Sequence, residues 1–207
     1  MLFSIQWLRG LAACAVVARH AATAAEKSGW LPTQGINIGH WGVDLFFAIS
    51  GFIMVYTTSN VYPGYKTMIL FWLRRIIRIA PIYWLITIVI VIFSIITPSM
   101  TGYKPEFWHI IGSIFFIPLE DARGILSPPL RVGWSLNFEM YFYIVFGIIL
   151  VAPRHLMHIL IIAWAFFSVT IGLIINPSTP LIQMMTSTYI IEFVAGALVA
   201  TIIQKKN

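Results

Sequence analysis

QWLRGLAACAVVARH, residues 6–20, is mostly apolar and, with its flanks, long enough to enter a bilayer. It nevertheless carries Arg9 near its start and Arg19 and His20 near its end. A charge in such a segment costs roughly 3 kcal/mol on insertion scales, so an ionisable group there is a functional candidate by default. Arg9 and His20 are 11 residues apart. That is close to three whole helical turns, so both point to one side of a helix, about 16 Å apart along its axis. One helix face thus presents a fixed cation and, further along, a titratable imidazole. A purely structural membrane helix has no use for that pair.

The composition fits this reading. Of 207 residues, 59% are hydrophobic and only 10% charged, where a soluble domain has about 25% charged residues. The chain is therefore expected to be a polytopic membrane protein, all-α, with a transmembrane helix bundle as its core. Continuous rather than alternating apolar runs argue against a β-barrel. The pI near 9.7 does not point to nucleic acid. The cations are sparse and lie between apolar runs, as topology determinants and anchors for phosphorylated ligands or anionic lipid do. Cys14 is alone, which leaves no disulfide framework and no cysteine-based metal site, and it is expected to be a small residue packed in a helix. AATAA at 21–25 resembles a cleavage site. No cation precedes the apolar run, however, and charges interrupt it, so the segment reads as a membrane helix rather than a leader.

Seven spans are expected, at about 3–25, 43–58, 79–97, 107–119, 134–152, 156–175 and 187–203. The fourth is short, and reads as tilted, partly re-entrant or shielded by neighbours. Asp44 lies near the start of the second span, Glu139 within the fifth and Glu192 within the seventh. Arg74, Arg75 and Arg78 cluster on one side of a helix start ahead of the third. Lys66 and this cluster place the 60–78 segment in the cytoplasm, and the N-terminus with it. Seven crossings put Arg123 and Arg131 on the same side, but Lys205 and Lys206 on the wrong one. That misfit, with an uncharged loop at 176–186, points to a natural bundle with more helices than this chain holds. In this orientation Arg9, the arginine cluster and Glu139 lie toward the cytoplasm, while His20 and Asp44 share a level near the outer side. A phosphorylated donor entering from the cytoplasm would meet an acceptor from outside.

Four blocks in order then carry a resemblance. SIQWLRGLAACAVVARH (4–20) holds Arg9 and His20 with ten residues between them. GVDLFFAISGFIMVYTT (42–58) follows, then FWLRRIIRIAPIYWL (71–85) with Arg75 and Arg78, then GWSLNFEMYFYIVF (133–146) with Glu139. Together they resemble the membrane acyltransferase 3 family, most of all its exopolysaccharide-production members. The resemblance implies one acyltransferase 3-type domain over 1–207, short at its C-terminus of a family bundle of about ten helices. It implies transfer of an acyl group, usually acetyl, from cytoplasmic acyl-CoA to a hydroxyl of an exopolysaccharide or its lipid-linked precursor. The location implied is the bacterial inner membrane. Acyl-CoA would be a substrate, with no permanently bound cofactor; the other partners would be the carbohydrate acceptor and the bilayer.

On this reading His20 is the general base toward a sugar hydroxyl, with Asp44 as its orienter and Glu139 as a further catalytic candidate. Arg9, Arg75 and Arg78 are the acyl-CoA contacts, since guanidinium groups bind phosphates by charge-assisted, often bidentate bonds. Each has a plainer alternative. His20 would be a snorkelling helix end, Arg75 and Arg78 positive-inside anchors like Arg74, Asp44 a helix cap paired with Arg19, and Glu139 half of a salt bridge to Arg9. Glu192 is a weaker site candidate. His40, His109, His155 and His158 lack metal-ligand spacing and are expected at interfaces or in loops. The rival functions are a carbohydrate transporter or flippase, whose charged and broken helices would look similar, and a non-catalytic fragment of such an enzyme.

Overall fold

The computed structural model describes residues 2–30, 39, 41–98 and 103–205; His40 lies outside them. The described residues are helical apart from loops and one isolated bridge between Glu120 and Leu126. In chain order the helices are α1 (Leu2–Lys27), α2 (Trp41–Thr58), α3 (Tyr65–Ile96), α4 (Phe107–Ile114), a 3-10 turn (Arg131–Gly133), α5 (Trp134–Ile149), α6 (Arg154–Ile175), α7 (Pro180–Met185) and α8 (Tyr189–Lys205). Among the described residues, five segments are long and apolar enough to cross a membrane: α2, α3, Arg131–Ile149, α6 and Pro180–Gln204. The chain is a multi-pass α-helical membrane protein. α1 also has the length, 26 residues or about 39 Å, and carries the charges noted above.

Two compact units are present, one formed by Met1–Asn60 with Tyr189–Asn207 and the other by Val61–Thr188.

The first unit is built on small residues. α1 and α2 are antiparallel: Gly42 sits against Ala12, Ala15 and Val16, and Gly39 against Ala15 and Arg19. α2 and α8 pack more closely still. A Cβ at Gly51 would overlap the Phe193 carbonyl, and one at Gly196 would overlap that of Ala48. Such glycines let membrane helices approach at backbone distance. Phe47 meets Tyr189 at one end of this seam, while at the other Gln204 Nε2 donates to the Val55 carbonyl at 3.4 Å. Rising numbers on α2 therefore match rising numbers on α8, and the two helices run parallel.

In the second unit α3 and α5 are antiparallel. The Gly64 amide donates to the Leu150 carbonyl (3.1 Å), Trp72 Nε1 donates to the Tyr143 carbonyl (2.9 Å), and Gly133 lies against the Tyr83 ring. Arg154 Nη2 donates to the Val61 carbonyl at 3.0 Å. The α5–α6 turn and the segment leading into α3 thus share one end of the unit. Gly133 lies at the level of Tyr83, 19 residues along from Gly64.

This corrects the fourth span. α4 has 8 residues, about 12 Å of helix, where a bilayer core needs about 30 Å. It stops at Phe116, which has φ 58. The Phe116 amide donates to the Ser113 carbonyl (3.0 Å) and the Ile117 amide to the Gly112 carbonyl (2.8 Å). That pair of bonds is the Schellman motif, here with a phenylalanine at the left-handed position glycine usually fills. Stacking of Phe116 on Tyr83, 4.8 Å between ring centroids, offsets the strain. With no crossing at 107–119 the chain reverses once between α3 and α5, as their antiparallel packing requires. One of the seven expected crossings is thereby lost, and Lys205 falls at the same end of its unit as Thr58. Arg123 and Arg131 leave the side of Lys66.

Single cysteines at Lys66 and Glu120, in a Cys14→Ser background, should therefore react with an impermeant thiol reagent from opposite faces of the membrane. Labelling of both from one face would restore a crossing at 107–119.

Candidate functional site

In the second unit, one face of α3 and one of α5 build a cluster around Tyr143. Phe71 and Trp72 on one turn of α3 and Arg75 on the next supply its side of the cluster. Tyr143, Phe146 and Gly147 face them, with Trp72 filling the space that Gly147 leaves. The Phe71 ring stands edge-on to Tyr143 at 6.0 Å and meets Phe146 at 5.4 Å. The Arg75 guanidinium carbon lies 5.2 Å from the centroids of both Phe71 and Tyr143. A cation held by two rings in a low-dielectric setting gains about 0.5–2 kcal/mol per contact. One turn back on α5, Glu139 accepts a hydrogen bond from the Tyr143 hydroxyl. The charges of Glu139, Arg75 and Arg78 all act on that hydroxyl. Arg74 and Arg78 are exposed, Arg75 and Glu139 half-buried.

Two of the expected site residues, Arg75 and Glu139, are thus brought together through a tyrosine that the motif reading had passed over. Its spacing from Glu139, four residues, was the available signal.

The first unit holds the rest. Arg9 and His20 lie on one continuous helix, as expected, and beside the seam with α2 rather than in it. Arg9 is half-buried and His20 exposed. No hydrogen bond or ion pair joins His20 to Asp44 among the described residues. The expectation that these two share a level fails on register. Gly42 sits opposite Ala12 to Val16, which puts Asp44 about eight residues, or about 12 Å, along α1 from His20. Asp44 belongs instead to the α2 stripe of residues 44, 48, 51 and 55 that faces α8. Its charge acts on both Tyr189 and Glu192. Glu192 Oε2 is buried with no hydrogen-bond partner among the described residues. Cys14, expected to be packed, is exposed.

A second feature of the Val61–Thr188 unit escaped the sequence reading. A cavity of about 290 Å³ is lined by residues including His109, Ser113, Leu126, Trp134, Asn137 and Gln183. His109 is only 3% exposed. Its Nε2 is 3.0 Å from the Ser127 carbonyl, which can only accept, so Nε2 carries the proton and Nδ1 accepts from the Tyr103 hydroxyl at 2.8 Å. Burial, helped by the Asp121 and Glu106 charges, pushes the Tyr103 hydroxyl up to about 12, so it stays a donor. Ser113 Oγ and Tyr83 Oη share a bond of 2.6 Å.

The loop over the cavity is braced by Asp121. Its Oδ1 accepts from the Arg123 and Ile125 amides at 2.9 and 3.0 Å, and its Oδ2 pairs with the Arg123 guanidinium. Burial pushes this carboxyl up, but the bonds from the Arg123 side chain and the two amides outweigh it and hold it below its ordinary value. The bracing is therefore complete above the unfolded value of about 3.9 and is lost as pH falls through the lowered folded one. Asp121→Ala should loosen the loop by about 1.5–3 kcal/mol. The readout is faster protease cleavage between Glu120 and Leu126 with the helices still protected; unchanged cleavage would show that the bracing is unimportant.

The long apolar helices, with arginines, a histidine and a ring-held cation beside a carboxylate set among them, define a multi-pass membrane protein. The particular family follows from comparison. The sequence matches the acyltransferase domain family over residues 2–206, and the chain belongs to that family. It is 35% identical over 184 residues to the exopolysaccharide production protein ExoZ of Rhizobium meliloti (strain 1021), across 85% of this chain and 53% of that protein. It is 30% identical over 156 residues to the peptidoglycan O-acetyltransferase OatA of Listeria monocytogenes, across 69% of this chain and 23% of the relative. The putative peptidoglycan O-acetyltransferase YrhL of Bacillus subtilis is 30% identical over 138 residues, across 58% and 21%. The chain thus spans about half the length of the first of these and less than a quarter of the others. No solved structure matches it.

Proposed function

We propose that the protein is an acyl-CoA-dependent O-acyltransferase of the bacterial inner membrane, moving an acetyl group to a hydroxyl of an exopolysaccharide or its lipid-linked precursor. The observation that carries this reading is the arginine face of α3. Arg74 and Arg78 are exposed there, and Arg75 is held between Phe71 and Tyr143 beside Glu139. Guanidiniums fixed at a helix face suit the phosphates of a CoA thioester. The relatives suggest the acceptor class: one is an exopolysaccharide production protein and another a peptidoglycan O-acetyltransferase.

The positive-inside rule places Lys66, the α3 arginines, Arg154 and Lys205 in the cytoplasm with the N-terminus, now without the misfit that seven crossings produced. The outer loops then carry Lys27, Lys104, Arg123 and Arg131 diluted by Glu26, Glu106, Glu120 and Asp121. Donor would bind from the cytoplasmic side at Arg75 and Arg78, with Arg9 as a further phosphate contact. His20, toward the outer end of α1, takes the proton of the sugar hydroxyl as its oxygen attacks the thioester carbonyl. The carbon–sulfur bond breaks, the acetyl ester forms, and the CoA thiolate recovers a proton from the imidazolium. Glu139 fixes Tyr143 under Arg75 and so positions the donor contact.

Membranes containing the protein, given acetyl-CoA labelled in the acetyl group, should produce alkali-labile label on the polysaccharide. A transporter would move the acceptor across the membrane and leave it unlabelled.

A further inference from the structure

The cavity beside α4 has an unmet demand. Asn137 is 5% exposed, and its Oδ1 is buried with no hydrogen-bond partner among the described residues. Asn137 lines the cavity together with Trp134 and Phe138, whose rings meet edge-on at 5.8 Å. The His109 ring nitrogens are both engaged, and Ser113 is bonded to Tyr83. His109 and Ser113 are therefore preset, while the Asn137 carbonyl oxygen is left to accept.

A buried acceptor without a donor is costly, and a ligand that brings a hydroxyl or N–H relieves the cost. Among the described residues no Lys, Arg, Asp or Glu lines the cavity, so it does not suit the phosphates of CoA. A volume of about 290 Å³ is at the small end of ligand pockets, and an aromatic wall with a few fixed polar groups is their usual make-up. Its position is also informative. Ser113 and Gly133 meet Tyr83, so the cavity lies away from the Gly64–Leu150 end of the unit, which carries Lys66.

We infer that this cavity, with Asn137 Oδ1 accepting from a ligand hydroxyl against the Trp134 and Phe138 rings, is a binding site for a neutral saccharide unit. It is a subsite for the carbohydrate acceptor and rests on the acyltransferase reading only for that role; the binding itself does not. Its placement on the outer side follows from its lying at the end of the unit opposite Lys66, which the positive-inside rule puts in the cytoplasm. A site that hydrogen-bonds a substrate hydroxyl discriminates strongly against analogues lacking it, because its own polar group is then left unpaired.

The test uses the full chain in nanodiscs and a panel of neutral methyl glycosides, read by saturation-transfer NMR. At least one glycoside should receive saturation from the protein, and coenzyme A should not displace it. Asn137→Leu should weaken that glycoside by about 10-fold or more. Leu126→Trp, which fills the cavity from an exposed loop position, should do the same without disturbing the helix that carries Asn137. Unchanged affinity in both variants, displacement by coenzyme A, or no glycoside signal at all would overturn the inference. Glycoside binding lost in the variants while the wild type transfers no acetyl would support the cavity and count against the acyltransferase reading alone.

Discussion

His20→Gln should lose acetyl transfer by about 100- to 10,000-fold, the usual worth of general acid–base catalysis, while donor binding survives. A sugar hydroxyl is a poor nucleophile at neutral pH, and attack on a thioester needs a base within hydrogen-bond reach. Imidazole is the side chain whose unperturbed pKa suits that task. His20 is also exposed on its helix rather than tied into packing, so glutamine should be tolerated structurally. Arg9, three turns away on the same face, cannot accept a proton, and Arg9→Ala should instead impair donor binding or insertion. Near-normal transfer by a correctly inserted His20→Gln protein would leave His20 as a snorkelling helix end. A direct hydrogen bond from Asp44 forms no part of this expectation, because register places that carboxylate lower on α1 and against α8.

The second large effect is expected at Arg75. Arg75→Ala should raise the acyl-CoA concentration needed for half-maximal transfer by roughly 10- to 150-fold, the loss of one charge-assisted contact of about 1.5–3 kcal/mol. Arg78→Ala should act in the same direction. Lysine at 75 should rescue only part, since it keeps the charge but loses the planar fork that both lies against Phe71 and Tyr143 and matches phosphate. Tyr143→Phe separates the two roles of that ring. It keeps the surface under Arg75 and removes the hydroxyl that bonds Glu139, so its donor affinity should fall between wild type and Arg75→Ala. Normal donor affinity in both alanine variants would reduce Arg75 and Arg78 to topology anchors. Because Arg75 also packs on two rings, insertion and thermal stability are measured in the same samples.

The membrane class and the long helices were legible because bilayer length and apolar composition leave few alternatives. α1, α2, α5, α6 and α8 lie near the expected spans, and α3 begins earlier because nothing in residues 65–78 breaks a helix. Residues 107–119 misled for a local reason. FWHIIGSIFFIPL is as apolar as a crossing, and the stop comes from Phe116 in a left-handed conformation that glycine or asparagine would have advertised. The stacking on Tyr83 that supports it is non-local, as is the antiparallel pairing of α3 and α5 that leaves no room for a crossing between them. Of the site, the arginines, His20 and Glu139 stood out because charge is conspicuous in an apolar run. Tyr143, His109 and Asn137 carry no such signal, and only burial and partners single them out.

The most direct measurement puts the purified chain in proteoliposomes with labelled acetyl-CoA supplied on the face that bears Lys66 and with polysaccharide on the other. Alkali-labile acetyl label should accumulate on the polysaccharide, fall to background in His20→Gln, and require much more donor in Arg75→Ala. Polysaccharide that crosses the bilayer unacetylated, or label that accumulates equally with His20→Gln and Arg75→Ala, would contradict the account.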